Sequence, residues 1–233
     1  MALNILYEDN HLIVVNKRCG DIVQHDPTGD IPLEQTVKDY LKAKYNKPGE
    51  VFLGVVHRVD RPVSGIVVFA RTSKALIRLN QMFQDKTIRK TYWAVVKERP
   101  PKDSDTLTHY IVRNTRTNRS YAYASERSNA QKAILHYRCI ASSDNYHLLE
   151  IDLETGRHHQ IRCQLAAIGC PIRGDLKYGY PRSNPNGGIH LHALQIRFKH
   201  PVKNEKMSLT APPPEDELWR AFQQFMTENI FAK

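Results

Sequence analysis

A single carboxylate, Asp60, stands between Arg58 and Arg61 in the run HRVDRPVSGIVVFAR, His57–Arg71. Its polar members are His57, Arg58, Asp60, Arg61 and Ser64, and Pro62 and Gly65 impose a turn that no helix accommodates. Charge on a tight loop between core strands is expensive to keep there. Two readings follow, a structural Asp–Arg pair that pins a loop, or a carboxylate kept for chemistry as an acid, base or nucleophile. A hydrolase would want a second carboxylate beside Asp60, and none stands near it in the sequence.

The second constellation is Thr155–Gly179, TGRHHQIRCQLAAIGCPIRGDLKYG. Ile161, Leu165 and Ile168 fall at helical spacing, and Gly169 and Pro171 end the helix. Arg157 lies four residues before Ile161, which directs it to the same buried face. There an arginine opposes the helix dipole and needs an anion, with Asp60 the candidate. The third stretch, Arg99–Lys132, is polar and basic. It sets Arg113, Arg116, Arg119 and Arg127 among Tyr110, Tyr121 and Tyr123. Arginines neutralise phosphates and aromatic rings stack on bases, so the pattern suits an RNA-gripping hairpin. It is equally the pattern of a solvated hairpin face, with Asp103, Asp105 and Glu126 diluting the charge. His190 and His192 alternate on one strand face without a third ligand nearby, and Cys19, Cys139, Cys163 and Cys170 form neither a CxxC pair nor a zinc spacing. No metal is expected, and the thiols read as reduced.

The elements that must position these residues follow from periodicity. Ile5–Tyr7 and Leu12–Asn16 flank Asp9-Asn10 as a hairpin. Val51–Val56 and Ile66–Ala70, rich in β-branched residues, read as the strands around Asp60. Pro32–Asn46 is a helix, and Thr72 or Ser73 caps a second one with Ala75, Leu76, Leu79, Met82 and Phe83 on its apolar stripe. Ile88–Lys97 reads as a strand carrying Tyr92, whose ring by this pattern alone packs inward. Ala133–Ile140 and Tyr146–Leu153 make a further antiparallel pair, and Glu215–Asn229 a last helix docking through Leu218, Phe222 and Phe225.

With a net charge of +10 and a calculated pI near 9.5, the chain favours a polyanionic partner, nucleic acid before membrane. No apolar run crosses a bilayer and no signal peptide opens the chain, so a cytoplasmic protein with one core is expected.

The Asp60 run closely resembles the HRLDRxTSGLLLFAK motif of the RluA-like pseudouridine synthases. Residues Thr155–Gly179 resemble that family's TGRTHQIRxHLxxxGHPIxGDxxYG, and LHALQIRFKHP resembles its LHAxxLxFxHP. The likeness spans roughly Leu3 to Met207. Departures are Arg18 for a proline in NKRCG, His158 for threonine, Cys163 for valine and Gln164 for histidine. The resemblance implies an α+β fold with a mixed, mostly antiparallel sheet and flanking helices. It also implies a single catalytic domain over 1–233 that contains the 99–132 hairpin and lacks an S4-type RNA-binding domain. The implied activity is isomerisation of uridine to pseudouridine in ribosomal or transfer RNA by a monomer without cofactor. It places the catalytic residue on Asp60, the active-site tyrosine of the KxYxAxV block on Tyr92, and the partner of the carboxylate on Arg157. Arg58, His57, Arg61, His159, Gln160 and Arg162, with Arg113, Arg116 and Arg119, are expected to contact RNA. An RNA-binding chaperone that keeps the fold without turnover is the competing class.

Overall fold

A computed structural model describes residues 3–231 of the chain. In chain order the elements are β1 (Ile5–Glu8), β2 (Leu12–Lys17), α1 (Leu33–Lys44), β3 (Gly54–Val55), β4 (Ser64–Ala70), α2 (Ser73–Gln84), β5 (Arg89–Val96), β6 (Ser104–Asn114), β7 (Arg119–Tyr123), β8 (Gln131–Ser142), β9 (His147–Leu153), α3 (Gln160–Ala167), β10 (Leu191–Lys199), β11 (Lys206–Thr210) and α4 (Glu217–Phe231). They fall into two compact units. The first takes the chain up to Arg89 and again over Ala193–Pro212; the second takes Lys90–His192 and the chain from Pro213 onward.

In the first unit the strands run in the order β1-β2-β4-β10, with β3 on β4 and β11 on β10. The pairs β1–β2, β2–β4, β3–β4 and β10–β11 are antiparallel. The β1–β2 hairpin closes because Asp9 Oδ1 accepts the backbone N–H groups of His11 and Leu12, each at 2.8 Å, a side chain standing in for a turn carbonyl. Leu12, Val14, Ile66 and Val68 point one way from β2 and β4 and bury against Ala75 and Leu79 of α2. Thr72 caps that helix, its hydroxyl accepting from Ala75 N–H at 3.2 Å. The strand expected over Val51–Val56 shrinks to Gly54–Val55. Val51 and Leu53 are buried without joining a ladder, so an apolar run marked burial rather than pairing.

The second unit carries β5-β9-β8-β6-β7, every neighbour antiparallel. The Arg99–Lys132 stretch supplies two of these strands. Its Leu107 and Ile111 are buried, Ile111 in a cluster with Ala133, Cys163 and Tyr178. It is therefore a structural part of the sheet, with only its turn and outer face in solvent. α4 docks through Trp219 and Phe222, packed with Val95 and Leu148. Phe225, expected on that docking face, is instead 43% exposed. Among the described residues no helix is long and apolar enough to cross a membrane.

Candidate active site

The Asp60 loop is held at both ends before any question of chemistry arises. After β3 the chain leaves the ladder, and the His57 side chain takes over its role: Val68 N–H of β4 donates to His57 Nε2 at 3.0 Å. That nitrogen carries no proton, so the ring is neutral. It packs 5.1 Å from the Phe83 ring of α2. His57, expected to contact RNA, is thereby a support of the loop. Val59 and Val63 are buried while Arg58 and Arg61 are exposed and Asp60 is half-buried between them. Val63 N–H donates to Asp60 O at 3.0 Å and closes the turn. Arg61 pairs with Asp30 at the surface, so its charge is engaged across the loop rather than only beside Asp60.

Beneath this loop lies a group the sequence reading passed over. Lys17, the last residue of β2, is 1% exposed. Its ammonium donates to the carbonyls of Arg18 at 2.9 Å, Asp21 at 2.8 Å and Arg61 at 3.2 Å. Burial pushes its pKa down to about 8, against the opposing pull of the Asp21 and Asp60 carboxylates. One signal was available: a lysine closes the strand that opens on the apolar run Leu12–Val15. Gly65 lies opposite Lys17 in the β2–β4 register. It has φ +112°, and a Cβ there would stand 2.6 Å from Ala193 N, overlapping the β10 backbone. Only glycine permits that approach.

In the second unit Tyr92 of β5 faces Ile151 of β9 and is 9% exposed. Lys90 shares its strand face, two residues away. A Cβ on Gly156 would stand 3.4 Å from Lys90 Nζ, so that glycine leaves room for the lysine beside the Arg157 loop. Burial lowers the Lys90 pKa.

Arg157 departs from expectation. α3 begins only at Gln160, with His159 as its N-cap in the left-handed region at φ 52°. Arg157 thus sits in the loop before the helix and is exposed, not on the buried helical face. Extending the helical spacing backward failed because the left-handed residue breaks the phase. The loop is fixed by Gln160, whose Oε1 accepts from Arg157 N–H at 3.0 Å and from Thr155 Oγ1 at 2.8 Å. The Arg157 side chain donates through Nε to Lys132 O at 3.1 Å.

Three neighbours expected to touch RNA prove internal. Gln160 is 3% exposed and also donates to Ile134 O at 3.1 Å. His159 is buried with Nδ1 2.9 Å from Tyr178 Oη. Arg162 is 4% exposed and forms a bidentate pair with Asp175, Nε–Oδ2 2.7 Å and Nη2–Oδ1 2.9 Å, under the Tyr178 ring. A buried arginine with its fork filled by a carboxylate holds the loop and does not reach solvent. The hairpin arginines differ. Arg113 and Arg116 are exposed, and Arg113 donates to Asn118 Oδ1 at 3.1 Å. Arg119 is half-buried, with its guanidinium 5.3 Å from the exposed Tyr121 ring and 5.2 Å from that of Tyr178. His190 and His192 both pack on Trp219, and His190 Nε2 lies 3.1 Å from Asp216.

The arrangement therefore offers a half-buried carboxylate on a turn stiffened from three sides in one unit. The other offers a buried tyrosine, an exposed arginine on a tethered loop, and a cationic hairpin.

Residues 11–167 match the model of the RNA pseudouridylate synthase family. The chain is 32% identical over 240 residues to a ribosomal large subunit pseudouridine synthase D of Zymomonas mobilis, covering 98% of this chain and 74% of that protein. It is 34% identical over 218 residues to an uncharacterised RNA pseudouridine synthase, YhcT, of Bacillus subtilis, covering 92% and 70%. Among solved structures, human RNA pseudouridylate synthase domain containing 4 superposes with a TM-score of 0.77 at 23% identity, over 96% of this chain and 93% of the other, which establishes the shared fold. With this match over most of its length, and at this identity to those enzymes, the chain belongs to the RNA pseudouridylate synthase family.

Proposed function

We propose that this protein isomerises uridine to pseudouridine in ribosomal or transfer RNA and that Asp60 carries the chemistry. The observation that supports this most directly is the HRVDRP turn. It presents one half-buried carboxylate flanked by exposed Arg58 and Arg61, with Val59 and Val63 anchored inside. The reaction breaks N1–C1′, turns the base over and joins C1′ to C5. The hydrogen leaving C5 is balanced by one gained at N1, so mass is unchanged and neither oxidant nor group donor enters. Such chemistry requires the base to leave its stack. An ionised Asp60 serves by adding to C1′, by assisting ribose deprotonation, or by adding to uracil C6.

Tyr92 covers the flipped base, a stacking contact worth about 1–3 kcal/mol. Arg157 serves the same reaction from its tethered loop, and Arg58 fills the gap left by the nucleotide. Arg113, Arg116 and Arg119 grip the backbone. The protein works as a cytoplasmic monomer. Named relatives act on the ribosomal large subunit or on tRNA, which makes those RNAs the substrates to try first. Tritium release from [5-³H]uridine-labelled RNA tests the reading. Asp60→Asn should abolish release while RNA affinity stays within a few-fold. Sustained turnover by that variant, with deamidation excluded by mass spectrometry, would remove Asp60 from the mechanism.

A further inference from the structure

Hydrogen bonds in the second unit converge on Ser120 of β7, which is 1% exposed. Its Oγ lies 2.8 Å from His158 Nδ1. Its backbone N–H donates to Tyr178 Oη at 2.8 Å, and that oxygen lies 2.9 Å from His159 Nδ1. The two imidazoles stack with centroids 3.8 Å apart. Ser120 pairs with Arg113 across the β6–β7 hairpin and follows Arg119 directly, while His158 follows Arg157 directly. One buried serine thus joins the turn end of the cationic hairpin to the loop that presents Arg157. His158 stands where the resembling motif has threonine, and its longer side chain is what spans the distance.

We propose that Ser120 is a positioning residue that links RNA seated on the β6–β7 hairpin to the orientation of Arg157. The inference rests on the function proposed above, in which the hairpin grips RNA and Arg157 serves the reaction. A packed interior does not deform continuously, so a displacement of the hairpin's turn end passes to whatever is bonded to it. Ser120 offers two bonds for that transfer, one through Oγ to His158 and one through its N–H to the Tyr178–His159 pair.

The test measures kcat and RNA Kd separately. Ser120→Ala and His158→Leu should each lower kcat by roughly three- to tenfold, the worth of one buried hydrogen bond, with Kd unchanged within about twofold. His158→Asn, whose amide reaches where Nδ1 stood, should restore most of kcat. The Ser120→Ala/His158→Leu double variant should be no worse than either single one. Independent, additive losses, or an Asn variant as impaired as the Leu variant, would overturn the link. Arg116→Glu separates this inference from its premise. It should weaken RNA binding and lower kcat at saturating RNA, and the kcat loss should shrink in the Ser120→Ala background, which removes the Oγ bond and keeps the backbone one. Unchanged RNA affinity would refute the grip itself, and with it the link. Weakened affinity with an undiminished kcat loss in the Ser120→Ala background would refute the link alone.

Discussion

Lys17→Met gives the sharpest test of how the Asp60 loop is held. The ammonium of Lys17 is buried beneath the loop and donates to three backbone carbonyls. Methionine matches its length but donates nothing, leaving carbonyls of the loop without that donor. Orphaning buried polar groups costs about 1–3 kcal/mol, the loss expected at pH 7. The pH dependence is more telling. Burial lowers the Lys17 pKa from 10.5 to about 8. Between those values the unfolded chain holds a proton that the folded protein has released. Stability from this group therefore rises with pH, because the unfolded state binds more protons. The neutral amine keeps two N–H donors, so the fold retains two of the three bonds and sheds the penalty of a buried charge. The full span of about 2.5 units corresponds to about 3 kcal/mol. Urea unfolding of wild type and Lys17→Met at pH 7, 8, 9 and 10 reads this directly, and differencing the two cancels groups that titrate in both. The stability gap should widen as pH rises. A lysine acting simply as a stabilising charge would make the gap narrow, and that result would refute the account of its burial.

Gly65→Ala should destabilise the first unit by at least about 2 kcal/mol in a thermal melt, since a Cβ at φ +112° meets the Ala193 backbone; a tolerated alanine would show that β4 and β10 do not approach so closely. RNA affinity should fall steeply with salt, and reversing the charges of Arg113, Arg116 and Arg119 should reduce the log–log slope by about 2–3, at just under one per phosphate contact; an unchanged slope would place the grip elsewhere. Arg157→Met should remove activity with less than about 1 kcal/mol of stability lost, because the side chain is exposed. In a double-mutant cycle with Asp60→Asn the activity losses should be far from additive; full additivity would dissociate Arg157 from the carboxylate's work.

What the sequence determined by itself was local order and family. Apolar runs marked β2, β4 and β5, the turn at Ser143-Asp144-Asn145 marked the β8–β9 pair, and the turn at Asp9, a cap at Thr72 or Ser73 and the Gly169 stop were all legible, because each depends on residues within a few positions of one another. The three motif blocks carried the fold class and the family. What a side chain does once folded was legible only in part. Arg162 reads as a basic residue in a substrate motif, yet Asp175, thirteen residues on, fills its guanidinium inside the protein. Arg157 reads as inward-facing at helical spacing, yet a left-handed His159 starts the helix three residues later. Lys17 and His57 owe their roles to backbone groups of distant segments, the Arg61 carbonyl and the Val68 amide. Periodicity reports which way a residue faces along its own element. Whether a buried polar group there is satisfied, and by what, depends on atoms that only the tertiary structure brings within about 3 Å.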